Sequence, residues 1–310
     1  MSNMFDIMKN KFLFPSYFKI IGCFLAIPGF IFGYLSVYQD FYIKSLDIRV
    51  GGFYSPEINN FTNELSLASL VIGLLFIAFS RLRQEDELTA KLRLDALHWA
   101  VLINYILFFA VEILFSLFRK VGYYELEKFV FDTGHWNTDF SLYNMFTPLV
   151  IFIGRFYYLV YYKKEAFIIS NMKYLPYYPY RLIAKAASLS LLSIIILTET
   201  FDMPLIDNIG QLVGESRILI PLSFLVWVFS KTASEDELTT QYRLESMQLA
   251  VYVNYSLLLL ANFICYGFDF LFVMGINLIS MLVFFLIRFN YVCNKGYWQV
   301  RRDVKGGLLS

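Results

Sequence analysis

FSRLRQEDELTAKLRLDALHWAVLINY, residues 79–105, has a second copy 150 positions further along the chain, where residues 229–255 read FSKTASEDELTTQYRLESMQLAVYVNY. The two stretches align without a gap and share 13 identical residues in 27 positions. Similarity at a fixed offset indicates a duplicated structural unit. We therefore predict two halves, residues 1–165 and 166–310, each built around one copy.

Apolar residues make up 58% of the 310-residue chain and charged residues only 16%, whereas soluble domains hold about 45–50% and about 25%. Crossing the hydrocarbon core of a bilayer takes about 20 apolar residues. The chain has eight apolar runs near that length: Tyr17–Tyr38, Leu65–Phe79, Leu97–Phe118, Leu142–Tyr162, Leu182–Thr198, Leu212–Phe229, Met247–Phe268 and Phe270–Val292. We predict an all-α polytopic membrane bundle, in which two parallel repeats of four transmembrane helices are related by a pseudo-twofold axis along the membrane normal.

The distribution of basic residues predicts the orientation of the bundle. With both termini inside, 20 of the 26 lysines and arginines fall on or toward the cytoplasmic side, as the positive-inside rule requires. We expect a multi-pass protein of the cell inner membrane, embedded in the lipid bilayer, with both termini cytoplasmic. The net charge of +1 argues against nucleic acid as a partner.

Each copy of the repeated stretch holds an acidic triplet, then a threonine and an arginine. These candidate residues are Glu85, Asp86, Glu87, Thr89 and Arg93 in the first copy and Glu235, Asp236, Glu237, Thr239 and Arg243 in the second. We expect a helix to start near the first glutamate of each copy, because negative charge favours the helix dipole there. Ser234 and Glu237 have the spacing of a capping box. The first glutamate, the threonine and the arginine are four residues apart and share one helix face.

Three interpretations of this motif are open from the sequence. The first is a solvated polar face on a membrane-surface helix, stabilised by local ion pairs. The second is a reciprocal clasp across the pseudo-twofold axis, in which Glu85 pairs with Arg243 and Glu235 pairs with Arg93. The third is a docking or ligand site for something cytoplasmic. A solvated face alone does not require the residue identity that the two copies retain.

Polar residues inside the predicted spans are informative because lipid makes them costly. They are Asn104, Glu112, Arg155, Asn254, Asn262 and Arg288. Asn104 and Arg155 lie at similar depths, as do Asn254 and Arg288, so we predict one Asn–Arg pair in each half. The alternative is that each arginine extends to the headgroups. Glu112 aligns with the uncharged Asn262, which favours helix–helix hydrogen bonding over a proton or cation site.

The chain has no phosphate-binding loop, no His-Glu-x-x-His sequence and no nucleophile elbow, and its only histidines are His98 and His135. We therefore expect no enzymatic activity, no cofactor and no metal. The favoured function is binding or regulating a cytoplasmic or membrane protein partner through the two motif helices. A small channel or transporter with pseudo-symmetric halves is the alternative, which Glu112 and the asparagines favour.

Glu-Asp-Glu-Leu-Thr, together with Leu-Ala-Val-Tyr-Val-Asn-Tyr at residues 249–255, resembles small multi-span inner-membrane proteins of Bacteroidetes-type bacteria. The resemblance covers the two motif regions, about a sixth of the chain. It implies an inner-membrane location. It implies no catalytic residue, because that family has no assigned activity.

Overall fold

The computed structural model describes residues 12–51, 56–83, 86–121, 145–163, 174–200, 219–233, 235–265 and 268–307. Helices account for most of these residues. They are α1 (Phe18–Gln39), α2 (Thr62–Phe79), α3 (Glu87–Val121), α4 (Thr147–Tyr158), α5 (Leu182–Thr200), α6 (Leu219–Val228), α7 (Glu237–Ile264) and α8 (Phe268–Gly307). Each helix lies at one of the predicted apolar runs, so the prediction of a helical fold is confirmed.

Five helices are long and apolar enough to cross a membrane. The segments that qualify are Phe18–Gln39, Thr62–Phe79, Leu88–Val111, Leu238–Ile264 and Val273–Lys295. Over the described residues, α4, α5 and α6 do not meet the same length and hydropathy. These findings fit a membrane protein with several spans. The eight-span arrangement in two repeats stays a prediction.

The chain divides into two compact units. The first joins Met1–Ser170 with Tyr255–Met274, and the second joins Asn171–Asn254 with Gly275–Ser310. The break at residue 170 lies close to the predicted boundary at residue 165. The end of α7 and the start of α8, however, belong to the first unit although they come from the second half of the sequence.

In the first unit, α1 and α2 pack backbone against backbone at small residues. A Cβ atom on Gly22 would lie 2.6 Å from the carbonyl oxygen of Gly73, and one on Gly73 would lie 2.5 Å from the nitrogen of Ala26. The Ser69 hydroxyl donates to the Leu25 carbonyl across the same contact (2.8 Å). Small residues allow this approach, which supplies the van der Waals packing that holds helices together in lipid.

The segment between α1 and α2 forms a short antiparallel sheet of β1 (Asp47–Gly51) and β2 (Pro56–Asn60). The Asn60 amide ties the sheet to its surroundings by donating to the Ile43 carbonyl (2.9 Å) and to Asp47 Oδ1 (2.6 Å). Its Oδ1 accepts the Thr62 N–H (3.0 Å) at the start of α2. One side chain therefore links the loop, the sheet and the next helix.

Candidate functional site: the two elbows

Each copy of the motif forms a sharp connection between two helices, which we call an elbow. The first elbow comprises residues 80–86 between α2 and α3, and the second comprises residues 229–236 between α6 and α7. The helices begin at Glu87 and Glu237, two residues later than predicted. Glu85 and Ser234 lie outside the described residues.

An aspartate caps the helix after each elbow. Asp236 Oδ1 accepts both the backbone N–H of Thr239 (2.7 Å) and its hydroxyl (2.6 Å). Asp86 does the same with Thr89, whose N–H is 2.7 Å away. The N-cap and N3 residues seen in α7 are therefore Asp236 and Thr239, and the predicted capping box of Ser234 and Glu237 rests on side chains outside the described part of the chain. The carboxylate satisfies an N–H group that has no partner within the helix.

Arg243, which lies on α7 just after the second elbow, is fully buried. Its Nη1 donates to the Val228 carbonyl (3.0 Å), and its Nη2 donates to the Ser230 carbonyl (2.9 Å) and to Glu235 Oε1 (2.6 Å). The guanidinium carbon of Arg243 lies 4.4 Å from the ring centroid of Tyr174 and 4.7 Å from that of Phe289. Carbonyls, a carboxylate and two aromatic faces compensate for most of the water that this cation loses, whereas its buried Nε has no hydrogen-bond partner among the described residues.

Arg93, which lies on α3 just after the first elbow, makes contacts similar to those of Arg243. Arg93 is fully buried, and its Nη1 donates to the Ala78 carbonyl (3.0 Å). Its Nη2 makes a longer contact of 3.5 Å with the Ser80 carbonyl, beyond the usual range for such bonds. Its guanidinium carbon lies 4.3 Å from the ring centroid of Phe156. Both acceptors are at the end of α2, where the last carbonyls of a helix lack partners and a cation favours the dipole. Each motif arginine is therefore a C-terminal cap for the preceding helix.

A single residue from elsewhere in the same unit adds a β-bridge to each elbow. Phe14 donates to the Phe79 carbonyl and accepts from Arg81, both at 2.9 Å. Leu175 does the same with Phe229 (3.0 Å) and Lys231 (2.9 Å). A proline follows both bridging residues, at Pro15 and Pro176. This Phe/Leu-Pro pair is a sequence signal that motif analysis missed.

Two of the three interpretations of the motif need correction. The solvated-face interpretation is wrong for Arg93, Arg243 and Thr89, which are 0%, 0% and 1% exposed. The reciprocal clasp is wrong for Glu235, because its Oε1 accepts from Arg243 and from the Thr232 N–H (2.8 Å) in its own unit. The motif acts within each elbow because the arginine folds back toward the preceding helix. The docking interpretation stays a prediction.

The charges of the second elbow perturb one another. Desolvation raises the pKa of Glu235, but the Arg243 cation and the hydrogen bonds from Thr232 outweigh it and hold this pKa below its ordinary value. The hydrogen bonds from Thr239 lower the pKa of Asp236. Burial, followed by repulsion from Arg243, lowers the pKa of Arg181. Both carboxylates are therefore ionised at neutral pH.

The predicted pair of Asn104 and Arg155 is wrong. Arg155 instead forms a salt bridge with Asp95, with its Nη2 and Nε donating to Oδ2 at 2.7 and 3.1 Å. Its guanidinium carbon also lies 5.1 Å from the Trp99 ring centroid. A carboxylate compensates a cation better than an amide does. Asn104 is buried, and its Oδ1 has no hydrogen-bond partner among the described residues.

The asparagines of α7 bond to groups other than the predicted arginine. Asn254 Nδ2 donates to Asn277 Oδ1 (3.1 Å), and its Oδ1 accepts the Ser280 hydroxyl (2.5 Å). The predicted pairing of Asn254 with Arg288 is therefore wrong, because α8 presents an amide and a hydroxyl at this depth. Asn262 donates to the Glu64 carbonyl of α2 (3.0 Å). This is helix–helix bonding of the type that we predicted for its aligned residue Glu112, which lies in α3.

Over the described ranges, no group of three or more His, Cys, Asp or Glu side chains is close enough to hold a metal ion. The buried His98 has its Nδ1 3.0 Å from the Leu94 carbonyl of its own helix. This contact gives the imidazole a structural role in α3.

No family model, no curated protein and no solved structure matches the chain. Likeness to known proteins therefore supplies neither a family nor an activity for it.

Proposed function

We propose that the chain is a non-enzymatic protein of the cell inner membrane, and that it binds a protein partner through the first turns of α3 and α7. The observation that carries this proposal is the exposure of Leu238, whose side chain is 44% accessible in the first turn of α7. It stands beside the exposed Asp236 and Thr240. A single exposed leucine is common on protein surfaces, so the weight of the proposal rests on the leucine being retained in both copies, as Leu88 and Leu238.

The other described residues of the motif make their contacts at the elbow itself. The aspartate is the N-cap of the helix and accepts hydrogen bonds from the threonine. The arginine donates to a carbonyl at the end of the preceding helix. Glu235 pairs with Arg243. None of these contacts needs a leucine at position 238, yet the first copy has the same residue at Leu88. A surface that meets a partner would account for this identity.

The test is co-purification of a tagged full-length protein from native membranes in a mild detergent. We expect a stoichiometric partner with the wild type and loss of that partner when Leu88→Lys and Leu238→Lys are combined. Thr240→Ala is the matched control, because Thr240 is exposed in the same turn but aligns with Ala90. A partner that remains bound to the leucine double variant, or no partner at all, would contradict the proposal.

We also propose that the two halves are four-span repeats with both termini cytoplasmic. The matching contacts of the two buried arginines support the duplication. Topology reporters fused at Lys163 and Lys305 should score cytoplasmic, and a reporter at Gly52 should score periplasmic. The opposite pattern would reverse the orientation of the motif and remove the cytoplasmic partner.

A small channel or transporter is the second candidate function. The hydrogen-bonded set of Asn254, Asn277 and Ser280 favours it, because polar side chains within spans line many solute pathways. Purified protein in liposomes distinguishes the two functions. Solute flux from the protein alone would support transport, and a sealed membrane would support partner binding.

A further inference from the structure

Arg181 lies at the second elbow with weak compensation for its charge. It ends the bent segment Tyr177–Arg181 that precedes α5. Its Nη1 is 3.4 Å from the carbonyl oxygens of both Ser230 and Lys231, which is beyond the usual range of 2.7–3.2 Å for such bonds. The guanidinium is half-buried, and this burial, followed by the repulsion from Arg243, lowers its pKa. The positive charges of Arg181 and Arg243 would stabilise an anion placed beside Arg181.

Two more cations flank Arg181. Lys185 is exposed and stands one helical turn further along the same face. Lys231 is exposed as well, and its own carbonyl is the one near the Arg181 guanidinium. A carboxylate that compensates Arg181 is Glu235, which already accepts bonds from Arg243 and Thr232. The other described carboxylate of the second elbow is the exposed Asp236. Three cations, Arg181, Lys185 and Lys231, therefore stand against one further carboxylate on this surface.

The position of these cations matches the headgroup region of a bilayer. The apolar segment of α7 begins at Leu238, directly after the second elbow, and that of α8 ends at Lys295. Arg181 interacts electrostatically with Glu235 and with Cys293, close to those two ends. The exposed tyrosines Tyr178 (72%) and Tyr180 (44%) stand beside it, and tyrosine is enriched at the membrane–water interface.

We propose that Arg181, Lys185 and Lys231 bind the phosphate of an anionic phospholipid headgroup. A guanidinium donates two parallel hydrogen bonds to a phosphate, and the two ammonium groups neutralise its charge. Basic pockets at the ends of spans recognise anionic headgroups in this way. The site is independent of the protein partner proposed above, because it uses neither Leu88 nor Leu238.

The first elbow lacks this site and supplies an internal comparison. Aligning the bridging residues Phe14 and Leu175 places Ile20 opposite Arg181 and Phe24 opposite Lys185. Both apolar residues are exposed on α1. Only Arg81, which aligns with Lys231, keeps the charge. At these three aligned positions the second elbow has three cations and the first has one, whereas the other basic residues near the first elbow, Lys19 and Arg83, stand at positions where the second has Tyr180 and Ala233.

The test is lipid binding to the full-length protein in mixed micelles, followed by native mass spectrometry with phosphatidylglycerol and phosphatidylcholine as probes. The wild type should prefer phosphatidylglycerol. Lys185→Gln and Lys231→Gln should each weaken that binding about fivefold, the equivalent of about 1 kcal/mol per cation near a surface. Both lysines are exposed, so these variants keep the fold. Arg181→Lys should retain part of the binding, whereas Arg81→Gln is the charge-matched control and should bind as the wild type does.

Four results would overturn the proposal. The first is equal binding of the two lipids by the wild type. The second is loss of phosphatidylglycerol binding in Arg81→Gln to the same extent as in the lysine variants. The third is displacement of the lipid by millimolar inorganic phosphate, which would assign the site to a free anion instead. The fourth is loss of the co-purifying protein partner from Lys185→Gln or Lys231→Gln. That result would assign this surface to protein docking and would contradict a lipid site.

Discussion

Replacing Arg243 with methionine should destabilise the protein more than any other single change in the motif. The guanidinium is fully buried and donates to two carbonyls at the end of α6 and to Glu235. Methionine has a similar length and keeps the apolar contact with Tyr174 and Phe289. It leaves the Val228 carbonyl without a donor, the Ser230 carbonyl with only the 3.4 Å contact from Arg181, and Glu235 without its paired cation.

The expected loss in the free energy of unfolding is about 3–5 kcal/mol, the usual cost of removing one partner from a buried ion pair. The cation–aromatic contacts contribute about 0.5–2 kcal/mol of gross attraction to this figure. Arg155→Met is the matched control. Its guanidinium is more accessible: the Arg155 side chain is 31% exposed and that of Arg243 is 1% exposed, while the carboxylates Asp95 and Glu235 are similar at 15% and 22%. The loss should therefore be about 1 kcal/mol.

The assay is unfolding of the purified protein in mixed detergent micelles, followed by circular dichroism as the denaturing detergent is increased. Arg243→Lys should fall between the wild type and Arg243→Met, because an ammonium group lacks the planar fork that reaches both carbonyls. The capping role of Arg243 would be refuted if Arg243→Met lost no more stability than Arg155→Met. Equal stability of Arg243→Lys and the wild type would show that a positive charge at position 243 is sufficient for this stability and that the guanidinium shape is not required.

Three further outcomes can be measured with the same unfolding assay. Gly73→Ala puts a Cβ 2.5 Å from the Ala26 nitrogen, so we expect a loss of about 1–3 kcal/mol from overpacking. Gly154→Ala meets no atom within 4 Å and should stabilise α4 by up to about 1 kcal/mol; a similar loss in both variants would contradict the close packing of α1 and α2. Asp236→Ala should cost about 1 kcal/mol through loss of the N-cap, and Asp236→Asn should restore most of it. The pKa of Glu235 is lowered in the folded state from 4.5, so its contribution to stability is present above that value and is lost as the pH falls through the folded pKa. Between about pH 6 and about pH 3 the wild type should therefore lose more stability than Glu235→Gln, and parallel curves would reject the ion pair.

Signals that are local in the sequence predicted the helices and the place of the motif. Apolar runs near span length identified the eight helices of the described residues. In lipid a chain must satisfy its backbone groups by internal hydrogen bonds, as a helix does, and it must present apolar side chains to the hydrocarbon. The acidic triplets placed the starts of α3 and α7 within two residues. Asp95 and Glu245 are conservative replacements in the alignment. That similarity was a signal for the acidic partner of Arg155, which the sequence analysis did not use.

The partners of the buried charges were decided by tertiary structure. Helical spacing predicted one face for Glu235, Thr239 and Arg243, but α7 begins only at Glu237, so Glu235 lies before the helix. The spacing also does not tell whether the arginine extends outward or folds back. Its direction depends on the free carbonyls of α6 and on Tyr174 and Phe289, the second of which lies 46 residues further along the chain. Periodicity reports only neighbours within a few residues. A buried cation finds its acceptors wherever the packed chain leaves them, so only the folded protein determines which carbonyls, carboxylates and rings surround it.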